Sequence, residues 1–411
     1  MTLHAHSWPE TRIGDIGEVF TGRTPPTERQ SYFGGEFPFI TPTDMHQGKF
    51  ARSTQRTISN EGAELLKRIQ IPPNSICVSC IGWQMGEVIM TDRPSFTNQQ
   101  INTIVPNGKV DPSFLFYSLL PRKSELLSLG AATGVRTPIL NKSAFCDIKV
   151  KIPVLPLQRR IAGILSAYDD LIENNQRRIK ILEEMAQSLY REWFVHFRFP
   201  GHDKVKMVSS PLGSIPQGWG GRFGDLVTIE RDGINPFEFP QELFEHFSIP
   251  AFDNGRQPAT ELGETILSGK YCINSSCVLL SKLNPRIPRI WLPATSDQRR
   301  AITSTEFLVL KPRPGTTREF IYAKCCSEEF AGQFASLAIG TSTSHQRVKP
   351  ENLLTIPGTV SDRSIIERFS SVVAPMLLLS QQLRGKTQNL RRTRDLLLPR
   401  LLSGQIAVKE N

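Results

Sequence analysis

The sequence predicts an α+β fold: two tandem α/β globular domains separated by a long antiparallel pair of coiled-coil helices, with a pseudo-twofold internal repeat. Three observations predict it. Two stretches, at about 157–197 and 362–402, carry apolar residues at alternating spacings of three and four, which is the 3.5-residue period of a coiled-coil seam. The segment before each stretch contains short strand-like runs broken by Gly and Pro. The second such segment repeats the order of motifs of the first.

The first helical stretch has no Pro and no Gly after Gly163. Its seam consists of Ile161, Leu165, Tyr168, Ile172, Asn175, Ile179, Leu182, Ala186, Leu189 and Trp193. All of these except Asn175 are apolar, and a single polar residue in a seam can fix the register of a coiled coil. A stripe of this length requires a partner along its whole extent, because an uncovered apolar stripe would be exposed to water.

The second helical stretch supplies such a partner from the same chain. Its seam consists of Ile366, Phe369, Val373, Met376, Ser380, Leu383, Thr387, Leu390, Arg394, Leu397 and Leu401. We expect Pro375 to kink this helix and Pro399 to loosen its last turn, since proline removes a helical hydrogen bond. The two seams predict that the helices pair with each other in antiparallel orientation.

The repeat is visible in four pairs of segments. They are Gly14-Asp15-Ile16 with Gly224-Asp225-Leu226, 74–81 with 274–281, 101–106 with 306–312, and the Gly/Thr/Ser loops 130–136 and 340–347. The predicted boundaries are therefore a first globular domain at 1–153, a first helical spacer at 154–198, a second globular domain at 199–360 and a second helical spacer at 361–411.

Composition limits the classes of function. The 411 residues are 39% hydrophobic and 21% charged, which is typical of a globular chain, and neither a secretory signal nor a membrane-spanning run is evident. We therefore expect a cytoplasmic protein with free thiols among its seven Cys. The net charge of +10 permits a polyanionic partner, although residues 361–411 alone, with nine basic and four acidic residues, carry half of this excess.

Motifs of catalysis are not evident. There is no Gly-x-Gly-x-x-Gly after a strand, and the Gly385-Lys386-Thr387 run falls inside the second seam rather than after a strand. Cys77 and Cys80 form a Cys-x-x-Cys without a second pair of ligands, so zinc or redox chemistry is not favoured. The sequence thus predicts no catalytic, cofactor-binding or metal site.

Polar and basic residues in the loops predict contacts with DNA, because bases are read by such side chains from loops and helix ends. The candidates in the first domain are Arg23, Thr24, Gln84, Asn98, Gln99, Arg136 and Lys142. Those in the second domain are Lys282, Arg286, Arg289, Arg300, His345, Gln346 and Arg347. The alternative for each residue singly is an ordinary solvated loop side chain.

The whole chain resembles the specificity (S) subunits of type I restriction–modification systems. The residues that carry the resemblance are Ile152-Pro153 with the helical stretch that follows, and the tail TRDLLLPRLLSGQI at 393–406. The stretches at 32–45 and 97–106 are similar to parts of the target-recognition domains of this family.

The resemblance implies a non-catalytic subunit that specifies a DNA sequence. Each globular domain would be a target-recognition domain for one half of a bipartite, asymmetric site in double-stranded DNA, and the helix pair would set the spacing between the halves. Two methyltransferase (M) subunits, which would carry the S-adenosylmethionine, and translocase–nuclease (R) subunits would be its partners. The alternatives are a divergent DNA methyltransferase or nuclease with its own active site, and a two-headed scaffold that binds proteins.

Overall fold

The computed structural model of the chain describes residues 8–46, 48–132, 136–210, 213–340, 346–358, 360–406 and 408. The chain divides into two compact units, of which unit 1 comprises Met1–Glu173 with Asn389–Asn411 and unit 2 comprises Asn174–Gln388. The boundaries between the units fall within the two long helices, whereas the boundaries predicted from sequence fall at the ends of these helices.

Unit 1 contains nine strands and five short helices in the part that the structure describes. The strands are β1 (Glu10–Arg12), β2 (Gly17–Thr21), β3 (Phe33–Ile40), β4 (Arg56–Ile58), β5 (Ile76–Ser79), β6 (Val88–Met90), β7 (Phe96–Thr97), β8 (Ile101–Pro106) and β9 (Lys149–Lys151). The helices are α1 (Ile13–Ile16), α2 (Asn60–Leu65), α3 (Pro112–Leu119), α4 (Lys123–Ala131) and α5 (Lys142–Cys146). They form an antiparallel sheet of order β2-β8-β5-β6, a second sheet of order β4-β3-β7 and the pair β1-β9.

The long helices are α6 (Leu155–Tyr190) and α11 (Arg363–Leu402). Between them, unit 2 has strands β10 (Met207–Ser210), β11 (Gly213–Pro216), β12 (Val227–Glu230), β13 (Gly233–Ile234), β14 (Leu243–Phe247), β15 (Ala259–Leu262), β16 (Lys270–Ile273), β17 (Val278–Ser281), β18 (Ile290–Trp291), β19 (Ala301–Ser304) and β20 (Phe307–Pro312). Its short helices are α7 (Ile249–Asp253), α8 (Arg318–Cys325), α9 (Glu328–Ser336) and α10 (Pro350–Leu354). The sheets have the orders β12-β20-β17-β18, β13-β16-β19-β14-β15 and β10-β11.

The internal repeat holds in three dimensions. The sheet β2-β8-β5-β6 of unit 1 has the same connectivity as β12-β20-β17-β18 of unit 2. Each unit also contains one parallel pair, with Ile40 beside Thr97 in unit 1 and Phe247 beside Thr303 in unit 2. These equivalences confirm two copies of one fold.

The central strand β5 shows why the Cys-x-x-Cys is structural. Ile76 and Val78 face one apolar cluster, and Cys77 faces another on the opposite side of the sheet, because side chains alternate along a strand. Cys80 lies in the first cluster, so the two thiols are in different environments. Burial raises the pKa of both Cys77 and Cys80 to about 12, which keeps them protonated at neutral pH.

The predicted seam of the long helices is covered along both units. In unit 1, Ile161 and Leu165 of α6 pack in one cluster with Leu398 and Leu401 of α11. Tyr168, Ile172, Leu390, Arg394 and Leu397, the other predicted seam residues of unit 1, are buried or half-buried. Asp169, which follows Leu165 in α6, pairs with Arg394, which precedes Leu398 in α11, so the two helices are antiparallel in this unit.

The seam continues in unit 2, where Trp193 packs on Phe369 at 6.1 Å between ring centroids and Val373 lies in the same cluster. Ile179, Leu182, Leu189 and Leu383 are further predicted seam residues of this unit and are buried or half-buried. α6 ends at Tyr190 and continues as one π-helical turn, Arg191–Val195, which the sequence did not predict. α11 runs through Pro375 and Pro399 without a break, and the kink and the loosened last turn expected at these residues stay predictions.

Candidate nucleic-acid interface

In unit 1, backbone hydrogen bonds bring together the loop after β5 and the segment before α5. Gly82 donates its N–H to the carbonyl of Pro138 at 2.9 Å, and Leu140 donates to the carbonyl of Cys80 at 2.9 Å. Ile81 and Ile139 form an isolated β-bridge between these hydrogen bonds. Two loops that are distant in sequence are therefore held side by side.

Unit 2 repeats the arrangement bond for bond. Asn284 donates its N–H to the carbonyl of Gln346 at 2.9 Å, and Val348 donates to the carbonyl of Lys282 at 3.1 Å. Asn284 has a φ of 48° and Gly82 a φ of 96°, so a residue with positive φ occupies the same place in both loops. This cluster is the unit 2 counterpart of the one in unit 1.

A third segment joins each cluster just before the last strand of the sheet. The N–H of Cys80 donates to the carbonyl of Gln100 at 2.7 Å, and the N–H of Lys282 donates to the carbonyl of Glu306 at 2.9 Å. In unit 1 this segment also contacts the loop after β2, because Thr24 donates from its hydroxyl to Gln99 Oε1 at 2.9 Å. We call the three segments the recognition cluster of each unit, comprising 81–87, 97–100 and 136–141 in unit 1 and 281–289, 304–306 and 346–348 in unit 2.

The structure places most of the predicted residues of unit 1 in or beside this cluster. Arg23, Gln84, Gln99 and Arg136 have exposed side chains. Thr24 is half-buried, and Lys142 is exposed in the first turn of α5. Asn141 caps the N-terminus of this helix, because its Oδ1 accepts a hydrogen bond from the Ala144 N–H at 2.9 Å.

Asn98 differs from the other predicted residues of unit 1, because its side chain is buried. Its amide donates to Gln100 Oε1 at 2.9 Å, and its Oδ1 accepts from the Gln100 N–H at 3.1 Å. These bonds fold the 97–100 segment, so Asn98 shapes the loop that presents Gln99.

The predicted residues of unit 2 divide into paired arginines and other side chains. Arg289 forms an ion pair with Asp253 and is only 12% exposed, and Arg300 pairs with Glu242 at 3.1 Å. Arg347 pairs with Glu306 at 3.0 Å. Arg286 is exposed, Lys282 and Gln346 are half-buried, and His345 lies outside the described residues.

Sequence reasoning missed Trp83, which occupies the turn after β5 beside Gln84 and is 67% exposed. The signal that could have found it is its position between Gly82 and Gly86, both of which have a positive φ. It also missed the links between the globular part of unit 1 and α6. Lys49 donates from Nζ to Ser166 Oγ at 2.8 Å, and Arg52 pairs with Glu173 at 2.7 Å.

In the part of the chain that the structure describes, the His, Cys, Asp and Glu residues form no group of three or more that could hold a metal ion. Among the described helices, none is both long and apolar enough to cross a membrane.

Comparison with known proteins shows what the chain is similar to. Residues 6–184 match the model of the type I restriction modification DNA specificity domain. The specificity subunit of the MjaIX type I restriction enzyme of Methanocaldococcus jannaschii is 24% identical over 98% of this chain and 94% of its own length. The chain is thus similar over nearly its whole length to a type I restriction–modification specificity subunit.

Two further matches agree with this similarity to specificity subunits. The HindI specificity subunit of Haemophilus influenzae is 35% identical over 41% of this chain and 38% of its own. The crystal structure of a type I restriction–modification S subunit from M. genitalium matches with a TM-score of 0.62 and 15% identity over 96% of both chains, which shows that the specificity-subunit fold is shared.

Proposed function

We propose that the recognition cluster of each unit reads one half of a bipartite, asymmetric site in double-stranded DNA. The observation that carries this proposal is the equivalence of the clusters, which have the same backbone hydrogen bonds but different side chains. The turn of unit 1 exposes Trp83 and Gln84, whereas the turn of unit 2 exposes Arg286 after the buried Pro285. One scaffold with two sets of side chains is suited to two different half-sites.

In this proposal, residues 1–153 and 199–360 are the two target-recognition domains, and 154–198 and 361–411 are the spacer helices. The length of the spacers sets the gap between the half-sites. The continuity of α6 over 36 residues and of α11 over 40 residues supports this role, since an unbroken helix has a fixed rise per residue.

The partners in this proposal are methyltransferase (M) subunits, two in number, and translocase–nuclease (R) subunits. The outer faces of the long helices offer exposed residues for docking, among them Leu171, Ile181 and Leu378. The chain itself binds no cofactor, and S-adenosylmethionine is held by the methyltransferase subunits. We place the protein in the cytoplasm, with its DNA.

The test is to express the chain with its methyltransferase subunits in a host that lacks the system, and to map methylated bases in the host DNA. We expect one asymmetric sequence made of two specified halves and an unspecified gap. Host cells with the methyltransferase subunits alone are the control and should lack the mark. A continuous palindromic sequence would contradict the proposal.

The rival proposal, a divergent methyltransferase or nuclease, is tested with the purified chain alone. Transfer of labelled methyl groups from S-adenosylmethionine to DNA, or cleavage of DNA, in the absence of any other subunit would establish the rival. Sequence-specific protection of DNA that requires the methyltransferase subunits would exclude both an independent enzyme and a scaffold that binds only proteins.

A further inference from the structure

Trp83 differs from every other tryptophan of the chain. The protein has five Trp, and four of them, Trp8, Trp193, Trp219 and Trp291, are at most 8% exposed. Trp83 is 67% exposed. Single exposed apolar side chains are common on protein surfaces, so the exposure acquires meaning only from the place of the residue.

That place is the tip of a rigid turn in the recognition cluster. Met85 donates its N–H to the carbonyl of Gly82 at 3.1 Å, which puts Trp83 and Gln84 at the two central positions of the turn. Gly86 donates to the carbonyl of Ser79 at 2.8 Å, which closes the base of the loop.

Side-chain contacts also fix the turn, because the side chain of Met85 is fully buried below it. The backbone hydrogen bond from Gly82 to Pro138 ties it to the segment that carries Arg136. The backbone that carries the indole is thus held in place in the cluster, and only the two side-chain torsions of Trp83 remain to be ordered on binding.

Its neighbours define what can cover the indole. The other exposed side chains of the recognition cluster in unit 1 include Gln84, Gln99 and Arg136, and the one carboxylate of the cluster, Glu87, is half-buried and pairs with Lys123. A large planar apolar group beside basic and amide-bearing side chains matches duplex DNA, whose major groove presents thymine methyl groups and base edges between the phosphates. A protein partner of ordinary apolar character would leave these polar groups unpaired.

Resting on the function proposed above, we propose that Trp83 is a specificity-determining residue that packs its indole against bases of the half-site read by unit 1. Unit 2 has Pro285 and Arg286 at the centre of the equivalent turn, since Ile287 donates its N–H to the carbonyl of Asn284 at 2.8 Å. Pro285 is buried and Arg286 is exposed. The same turn therefore gives an apolar contact in one half-site and a cationic contact in the other.

The test uses this chain labelled with 5-hydroxytryptophan, which can be excited separately from tryptophan, and assembled with unlabelled methyltransferase subunits. The probe is a dye-labelled duplex that contains the sequence mapped by methylation. The difference between the wild type and W83F isolates the signal of Trp83. Acrylamide quenching then measures its accessibility, and anisotropy of the dye measures DNA binding in the same sample.

We expect Trp83 to stay accessible after assembly with the methyltransferase subunits and to become protected on the specific duplex. It should stay accessible on a duplex whose first half-site is scrambled. Protection by the methyltransferase subunits alone would assign the residue to a protein interface and overturn the inference. Specific binding with an accessible indole would overturn the inference but leave the proposed function intact, whereas absence of sequence-specific binding would overturn both.

Variants give a second readout. We expect W83A to weaken binding to the specific duplex by about tenfold, as for loss of one base–aromatic contact, and to reduce discrimination only in the first half-site. W83F should retain most of the affinity because it keeps an aromatic face. The control is L65A, which removes a 52% exposed apolar side chain from α2 of the same unit and should bind as the wild type does. Equal binding by W83A and L65A would overturn the inference.

Discussion

Arg347 lies flat against Glu306, with its Nε and Nη2 atoms 3.0 and 3.1 Å from Oε2 and Oε1 of the carboxylate. The hydrogen bonds with Glu306 raise the pKa of Arg347 above its ordinary value. The two residues belong to the recognition cluster of unit 2, and the guanidinium is 47% exposed. Arg347 thus has a carboxylate as its partner in the free protein, and if it contacts DNA as proposed above, it must exchange this carboxylate for a base or a phosphate.

The exchange predicts that E306Q strengthens non-specific DNA binding. The substitution keeps the shape of the side chain but removes the charge that neutralises Arg347, so one more cation is available to phosphates. The plot of log affinity against log salt should become steeper by about one unit. Fluorescence anisotropy with a scrambled duplex over a series of salt concentrations measures both effects, and an unchanged slope would show that Arg347 stays away from the DNA.

Arg136 and Arg347 occupy comparable segments of the two clusters, which predicts separable effects on the two half-sites. R136A should reduce discrimination only in the half-site read by unit 1, and R347A only in the other. Each lost bidentate base contact should cost about 1–3 kcal/mol of binding free energy. Competition binding with duplexes scrambled in one half measures this. Equal weakening on all duplexes would assign the residue to phosphates instead.

The helix pair of unit 1 contains a polar link whose loss should destabilise the protein. Arg394 of α11 donates to Asp169 of α6, which also accepts from the hydroxyl of Tyr117, and the Asp169 side chain is only 12% exposed. R394A leaves this carboxylate without its cation and should lower the free energy of unfolding by about 2 kcal/mol.

The matched control for R394A is R391A, which removes an exposed arginine from the same helix. It should change the free energy of unfolding by less than about 0.5 kcal/mol. Urea unfolding followed by circular dichroism compares the three proteins. Equal stability of R394A and R391A would show that the link contributes nothing.

Lys324 of α8 predicts a pH dependence of stability. Desolvation by burial lowers the pKa of Lys324 from 10.5 to about 8. Below pH 8 the Lys324 ammonium is charged in both the folded and the unfolded protein, and its buried charge destabilises the folded state. Between pH 8 and 10.5 Lys324 is neutral in the folded protein but still charged in the unfolded one, so the free energy of unfolding rises with pH.

The variant K324M should therefore be more stable than the wild type at pH 7, by about 3 kcal/mol, and should lose the rise of stability between pH 8 and 10.5. Unfolding midpoints measured across this range provide the test. K349M, at an exposed lysine of the same unit, is the control and should follow the wild-type curve. A parallel curve for K324M would mean that another group titrates.

The spacer role predicts that target sites change in length but not in sequence when the helices are lengthened. One helical turn inserted in both α6 and α11, in register, adds about 6 Å of helix. The gap between the half-sites should lengthen while both half-sequences persist, as read by mapping of methylated bases. Insertion in α6 alone is the control and should abolish methylation, since the seam is then out of register. Altered half-sequences with a constant gap would refute the spacer role.

The sequence alone determined the long helices and the repeat. Heptad spacing depends on neighbours three and four residues away, so every seam residue from Ile161 to Leu401 could be assigned before any contact was known, and each is buried or half-buried. The repeated motifs likewise predicted two copies of one fold, because similar local sequences with similar spacing build similar sheets.

Only the tertiary structure decided which loop side chains are available to a ligand. Arg289 and Arg300 look equivalent to Arg286 in the sequence. In the structure, however, Arg289 pairs with Asp253, 36 residues away, and Arg300 pairs with Glu242, 58 residues away. The glycines on either side of Trp83 indicate a turn, but only the structure shows that the turn from Gly82 to Met85 places its side chain in solvent. The periodicity of a helix depends on residues that are close together in the chain, whereas the partner of a loop side chain comes from a distant segment that the fold brings beside it.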